Sequence, residues 1–224
     1  VTITSGYRSE ALCEAIGSKK TSQHAKGQAV DLEIFGVPNI KVAYWLQNNK
    51  MERQFRRVVT GHNSEGKSII LMDGAPPQVI EPLPQLFLHE IWETSAPADN
   101  TGNSDTAIRD TRIEPHDPAG TIFRYVEFPP DEVIQDADDA DAFAQMGSSD
   151  AHDSDSEQAG MHETQTTDYA IVLEGEMWAV MEEGETKLSA NDVLIQRGTN
   201  HAWSNRSGKP ALMLFVLIGA NKRT

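Results

Sequence analysis

From Arg56 onward the chain repeats one pattern of construction: a short run of β-branched, aliphatic and aromatic residues, then a break of Gly, Pro, Asn or Asp. The runs are RRVVTG, KSIILMDG, QLFLHEIWET, GTIFRYVEF, YAIVLEGEMWAVMEEGE, DVLIQRG, HAWSN and ALMLFVLIG. Regularly spaced short strands bounded by turn residues point to a β-sandwich or barrel. The first fifty residues are built differently. SGYRSEALCEAIG has a helix start at Ser9 and a stop at Gly17, AVDLEIFGV reads as a short strand, and NIKVAYWLQNN spaces Ile40, Val42, Ala43 and Leu46 as a helix does. The reading is therefore two unequal parts, a small α+β unit over 1–50 and a mainly β domain over 51–224, joined near Met51.

Composition narrows the function classes. A chain of 224 residues with a formal charge of −15 would repel a phosphate backbone, so neither nucleic acid nor an anionic membrane surface is the expected partner. No apolar run approaches the roughly 18 residues of a membrane helix. The single cysteine, Cys13, leaves no internal disulfide and no Cys-based zinc site, which makes the cytoplasm the default compartment.

Between Pro129 and Gly160 the sequence is DEVIQDADDADAFAQMGSSDAHDSDSEQAG, and no Lys or Arg occurs from Tyr125 through Thr186. The run D-x-D-D-x-D lacks the Gly and the terminal Glu of an EF-hand loop. A flexible, solvated acidic loop over about 131–160 is expected, with a helical turn at DADAFAQM.

Two later segments carry the chemistry. His162-Glu-Thr-Gln-Thr-Thr-Asp168-Tyr-Ala-Ile-Val-Leu-Glu-Gly175 and Gln196-Arg-Gly198-Thr-Asn-His201-Ala-Trp-Ser-Asn205 together resemble the paired motifs of the cupin superfamily. The family pattern is H-x-H, an acidic residue and V-L-x-G, then P-x-G-x-x-H followed by Asn. His162, Asp168, His201, Gly198 and Asn205 occupy matching places. Thr164 stands where the second His belongs, and Gln196 replaces the Pro. The resemblance implies a cupin-type β-barrel, the double-stranded β-helix or jelly roll, with a small-molecule pocket inside. It also implies a divalent metal (Fe, Mn, Ni, Cu or Zn) on His162, Asp168 and His201, an open two-His, one-carboxylate set. His162 and Asp168 are expected at the entry of one strand and His201 on a facing one. The competing expectation is a metal-free cupin in which the two histidines hydrogen-bond in the pocket or act as acid and base. His89 and His116 read as structural or solvated, and His62 and His152 are given no role. Trp92, Phe123, Tyr125, Trp178 and Trp203 read as core or rim aromatics.

The N-terminal ITSGYRS and SKKTSQHAKGQAVDLEI resemble the zinc D,D-carboxypeptidase and endolysin peptidases of family M15. Ser22, His24, Gly27, Ala29 and Asp31 match the S-x-H-x-x-G-x-A-x-D signature. The resemblance makes His24 and Asp31 two zinc ligands and Arg8 an oxyanion-stabilising residue. The family's third ligand comes from a later W-x-H motif, absent here after Trp45. HEIWE at His89–Glu93 has the wrong order. The fragment therefore reads as a truncated peptidase half fused to a whole cupin.

Three functions remain open from sequence: a small-molecule cupin enzyme of oxygenase, decarboxylase or isomerase type, a non-catalytic ligand-binding cupin, and a cell-wall peptidase. The expected partner is a small-molecule ligand or substrate, with a homodimer left open.

Overall fold

In a computed structural model of the chain, the structure describes residues 53–221 and, before them, the backbone of two short strands, β1 (Thr2–Ser5) and β2 (Asp31–Glu33). The chain divides into two compact units, Val1–Met51 and Glu52–Thr224. In the first, β1 and β2 pair antiparallel, with Ile3 opposite Leu32 and Ser5 opposite Asp31. β2 falls in the segment expected as a strand; the two expected helices lie outside the described residues.

The second unit is mainly β. Its strands are β3 (Arg57–His62), β4 (Ser68–Gly74), β5 (Gln78–Leu83), β6 (Leu86–Thr94), β7 (Thr121–Phe128) and β8 (Thr166–Glu174). They continue with β9 (Glu176–Met181), β10 (Glu185–Ser189), β11 (Val193–Arg197), β12 (His201–Ser204) and β13 (Ala211–Gly219). Six form one sheet in the order β11-β8-β13-β7-β6-β5, three form a second in the order β10-β9-β12, and β3 and β4 make a separate hairpin. Two stacked β layers are what the strand spacing predicts, and the arrangement is consistent with the jelly roll that the cupin resemblance implies, although the sheets of the described residues do not close into a barrel. Two strands escaped the sequence pattern, and both lie at sheet edges. β5 carries Pro82, which an edge strand tolerates because one side of it makes no ladder bonds, and β10 (ETKLS) is mostly polar.

Alternation along each strand sends one set of side chains inward. Ile122 and Val126 of β7, Ala170 and Val172 of β8, Met177 and Ala179 of β9, and Met213, Phe215 and Leu217 of β13 meet in one buried cluster. At about 1.5–3 kcal/mol for each large side chain removed from water, this cluster is the main force holding the two sheets together.

The acidic segment is not a solvated loop throughout. It forms α1 (Asp131–Ile134) and α2 (Asp139–Gln145), the latter covering most of the expected turn. Asp138 caps α2 by accepting from the Asp141 amide, and the helix buries Ala142 and Phe143. Phe143 and Met146 join the main core cluster. Glu132, Asp136, Asp138 and Asp141 are exposed, which is how so acidic a stretch still contributes an apolar face, while Asp131 and Asp139 are partly buried. Both ends are tied to β12. Asp131 accepts from the Asn205 amide at 2.7 Å and the Ser204 hydroxyl at 2.6 Å. At the other end, residues around His152 pair with residues around His162, and His162 pairs with His201.

Candidate active site

A cavity of about 450 Å³ lies inside the β unit, between its two sheets and under the acidic segment. Leu88, Val126, Phe143, Trp203, Phe215 and Leu217 give it a largely apolar wall. The polar groups at its surface include His162, Thr164, Asp168, His201 and Arg124. Such a volume suits a small organic molecule.

His162 and His201 come together. Their backbones exchange two hydrogen bonds of 2.9 Å, and the ring centroids stand 4.2 Å apart. His162 therefore extends the smaller sheet beside β12, whereas Asp168 sits on β8 of the larger one. The expected grouping, with His162 and Asp168 at the entry of one strand, is thus rearranged: the chain crosses between sheets after His162 and before β8 begins at Thr166.

Each imidazole is held in the same way. Nδ1 of His162 lies 2.8 Å from the Gly160 carbonyl, and Nδ1 of His201 lies 2.9 Å from the Thr199 carbonyl. A carbonyl can only accept, so both Nδ1 atoms carry the proton. Burial lowers the pKa of both rings, that of His201 to about 3, with the neighbouring His162 adding to the effect. Both are neutral at physiological pH, and Nε2 of each presents a lone pair.

The Thr199 carbonyl is itself fixed by Gln196, whose Nε2 donates to it at 2.8 Å. The residue that departs from the family's Pro thus supports the Thr199 contact with His201. Gly198 between them has φ +55°, and a Cβ there would lie 3.1 Å from the Thr164 carbonyl oxygen. That is why the turn requires glycine. Asn205 is a latch, its Nδ2 donating to the carbonyl of Lys209 at 2.8 Å and to that of Phe128 at 3.3 Å.

Asp168 lies in an inward row, flanked across the sheet by Gln196 and Leu217. Burial raises its carboxyl pKa to about 6, against the opposing pull of the Thr166 hydroxyl and of Arg124. Thr164 and Thr166 hydroxyls lie 2.8 Å apart. Either hydroxyl can be the donor, and Thr166 lies close enough to Asp168 to favour its charged form. The Oδ1 atom of Asp168 is buried and has no hydrogen-bond partner among the described residues.

Sequence reasoning passed over Arg124 and His152. Arg124 is buried in an ion network with Glu90, which also takes a 2.8 Å bond from Arg109. The signal was present in TIFRYVEF, where Arg124 occupies the inward register between Ile122 and Val126. His152 packs on Phe143, with centroids 5.0 Å apart, and its Nε2 lies 3.4 Å from Asp139. No local pattern marks it. His89, expected as structural or solvated, is buried and meets Glu127 at 2.8 Å. His116 is half-exposed and contacts Glu93 at 3.2 Å.

Among the described residues no group of three or more His, Cys, Asp or Glu side chains is arranged to hold a metal ion. His24 and Arg8 lie outside the described residues, and of Asp31 only the backbone is described. Among those residues, too, no helix is long and apolar enough to cross a membrane.

Comparison with known proteins adds four findings. Residues 1–64 match the family model for Peptidase M15. Phomopsin biosynthesis cluster protein C' of Diaporthe leptostromiformis is 30% identical over 173 residues, which cover 73% of this chain and 78% of that protein. The cupin-domain-containing oxidoreductase fogC of Aspergillus ruber is 28% identical over 74% of this chain and 72% of its own length. Among solved structures, a cupin superfamily protein from Desulfitobacterium hafniense aligns with 44% of this chain and 66% of its own, at 14% identity and a TM-score of 0.29.

Proposed function

The chain belongs to the cupin superfamily, and on that premise we propose that its pocket is the active site of a small-molecule enzyme whose reaction begins with proton transfer to Asp168. The observation that carries this reading is the contrast in basicity across one apolar cavity. Asp168, at about 6, is poised to take a proton near neutral pH, whereas His201, at about 3, is far too weak a base. The two imidazoles instead offer Nε2 lone pairs as hydrogen-bond acceptors for a hydroxyl or N–H of the substrate. The substrate class is a largely apolar molecule with one donor group, anchored on the smaller sheet and deprotonated from the larger. The Thr166 hydroxyl favours the charged carboxylate, and the apolar wall excludes water.

The fit to a metal is incomplete. Neutral imidazoles with free lone pairs suit two coordination positions for Fe, Mn, Ni, Cu or Zn, since a ligand must be deprotonated to bind. The third position is unfilled. Thr164 stands in the family's His place with its hydroxyl paired to that of Thr166, and Asp168 does not join the histidines in a metal-holding group. No step is therefore routed through a metal.

The names of the fungal relatives favour a second reading, in which proton removal by Asp168 accompanies hydride transfer to an electron acceptor. Both are tested together by incubating the protein with small hydroxylated aldehydes and ketones in D2O, with and without added nicotinamide or flavin acceptors. NMR would follow deuterium incorporation and oxidation. Asp168→Asn should lower either activity by about 10²–10⁴-fold, the usual worth of a general base. Turnover unaffected by Asp168→Asn would refute the assignment, and binding without turnover would make this a ligand-binding cupin.

A further inference from the structure

The acidic segment does more than roof the cavity. Its helix α2 begins at Asp139, whose Oδ2 accepts from the Gly160 amide at 2.7 Å, and the Gly160 carbonyl in turn accepts from Nδ1 of His162 at 2.8 Å. Gly160 has φ +72° with nothing within 4 Å of the place a Cβ would occupy, so it is a left-handed turn in open space. The bond from the following amide, Met161 to the Gln158 carbonyl, is long at 3.4 Å. Asp139 is thus the short, charge-assisted anchor of the residue that fixes the His162 tautomer.

We infer that Asp139 is a positioning residue: from the helix that covers the pocket, it holds His162 in the Nδ1–H form that turns its Nε2 lone pair to the substrate. The inference rests on the proposed role of His162 as a substrate-binding acceptor. For His201 the corresponding carbonyl, that of Thr199, is held by Gln196, while the segment meets that turn at the next residue, where Asp153 accepts from Nδ2 of Asn200 at 2.7 Å. The two rings therefore differ in what keeps them ready. Contact between Asp139 and His152, at 3.4 Å, is a separate feature of the same carboxylate. An Asn side chain would keep the oxygen that Gly160 needs while losing the charge that faces His152, so the two contributions can be separated.

The test is long-range ¹H–¹⁵N NMR of the histidine rings in the full chain and in Asp139 variants. The wild type and Asp139→Asn should both show His162 as a single Nδ1–H tautomer. Asp139→Ala should lose that single pattern at His162 and give a mixture of tautomers, while His201 keeps its wild-type signal and so reports an intact fold. If Asp139→Ala loses the His201 signal as well, Asp139→Ser replaces it, being too short to reach the amide while keeping a polar side chain at the first helical position. An unchanged His162 pattern in the folded variant overturns the inference, as does failure of Asp139→Asn to restore it. An Nε2–H tautomer in the wild type would overturn instead the reading of His162 on which the inference depends.

Discussion

The two histidines reach one chemical state by different routes. His201 is prepared locally: Gln196, Gly198 and Thr199 lie within five residues of it, on the turn between β11 and β12, and supply both the carbonyl and its support. His162 is prepared at a distance, through Gly160 and Asp139, by a segment that must first pack Phe143 and Met146 into the core. A site half built into the sheet and half carried on its cover couples the second half to whatever moves the cover.

The largest expected effect concerns His201. Its folded pKa lies below the unfolded value of about 6.5, so the unfolded state binds more protons and stability falls as pH drops from about 6.5 towards 3. The full loss is on the order of 5 kcal/mol, and denaturant titrations across that range should show His201→Gln with a much flatter acid limb. Next, Phe143→Ala should cost about 3–5 kcal/mol as a large-to-small core change. Hydrogen exchange should then rise across 139–163 and leave β11 and β12 protected; uniform exposure would erase the distinction between the halves.

Asp168 works in the opposite direction. Its raised pKa means the folded state binds more protons between about 4 and 6, so stability present at lower pH is lost as pH rises through that window. Asp168→Asn should therefore stabilise the protein above pH 6 by on the order of 3 kcal/mol and have little effect near pH 4. The smallest change is Gln196→Ala, which frees the Thr199 carbonyl from one partner and should cost about 1 kcal/mol. Its tautomer effect should fall on His201 alone, the mirror image of the Asp139 variants. Thr164→His bears on the metal question: a third imidazole beside the pair should give tighter binding of Zn²⁺ or Mn²⁺ than the unaltered protein shows in calorimetric titration.

How far the sequence reveals this site follows the same division. Period-two runs of apolar residues expose β6 to β9 and β11 to β13, because alternation is a local property that each strand carries by itself. Edge strands β5 and β10 lack that alternation, since neither is fully covered. Within the site, His162, Asp168 and His201 are legible as spaced residues, and the support of His201 is legible with them. The partnership of His162 with the acidic segment is not, because charge dominates the composition of that segment while only Ala142, Phe143 and Met146 decide its packing. Asp139 and His152 look like any other polar residues until the chain folds back. The pairing of His162 with His201 rather than with β8 also depends on where the chain changes sheets, which the run of threonines does not announce.

The most direct measurement is the protonation and tautomer state of both rings in the unaltered protein, by long-range ¹H–¹⁵N NMR from pH 5 to pH 8. Both imidazoles protonated at Nδ1 and neutral at pH 7 and above, with His201 unchanged across the whole range, are the result predicted. A His201 ring that gains a proton between pH 5 and 8, a His162 ring that titrates above the ordinary value of about 6.5, or either ring carrying its hydrogen on Nε2, would contradict the arrangement of a buried acceptor pair facing a poised carboxyl.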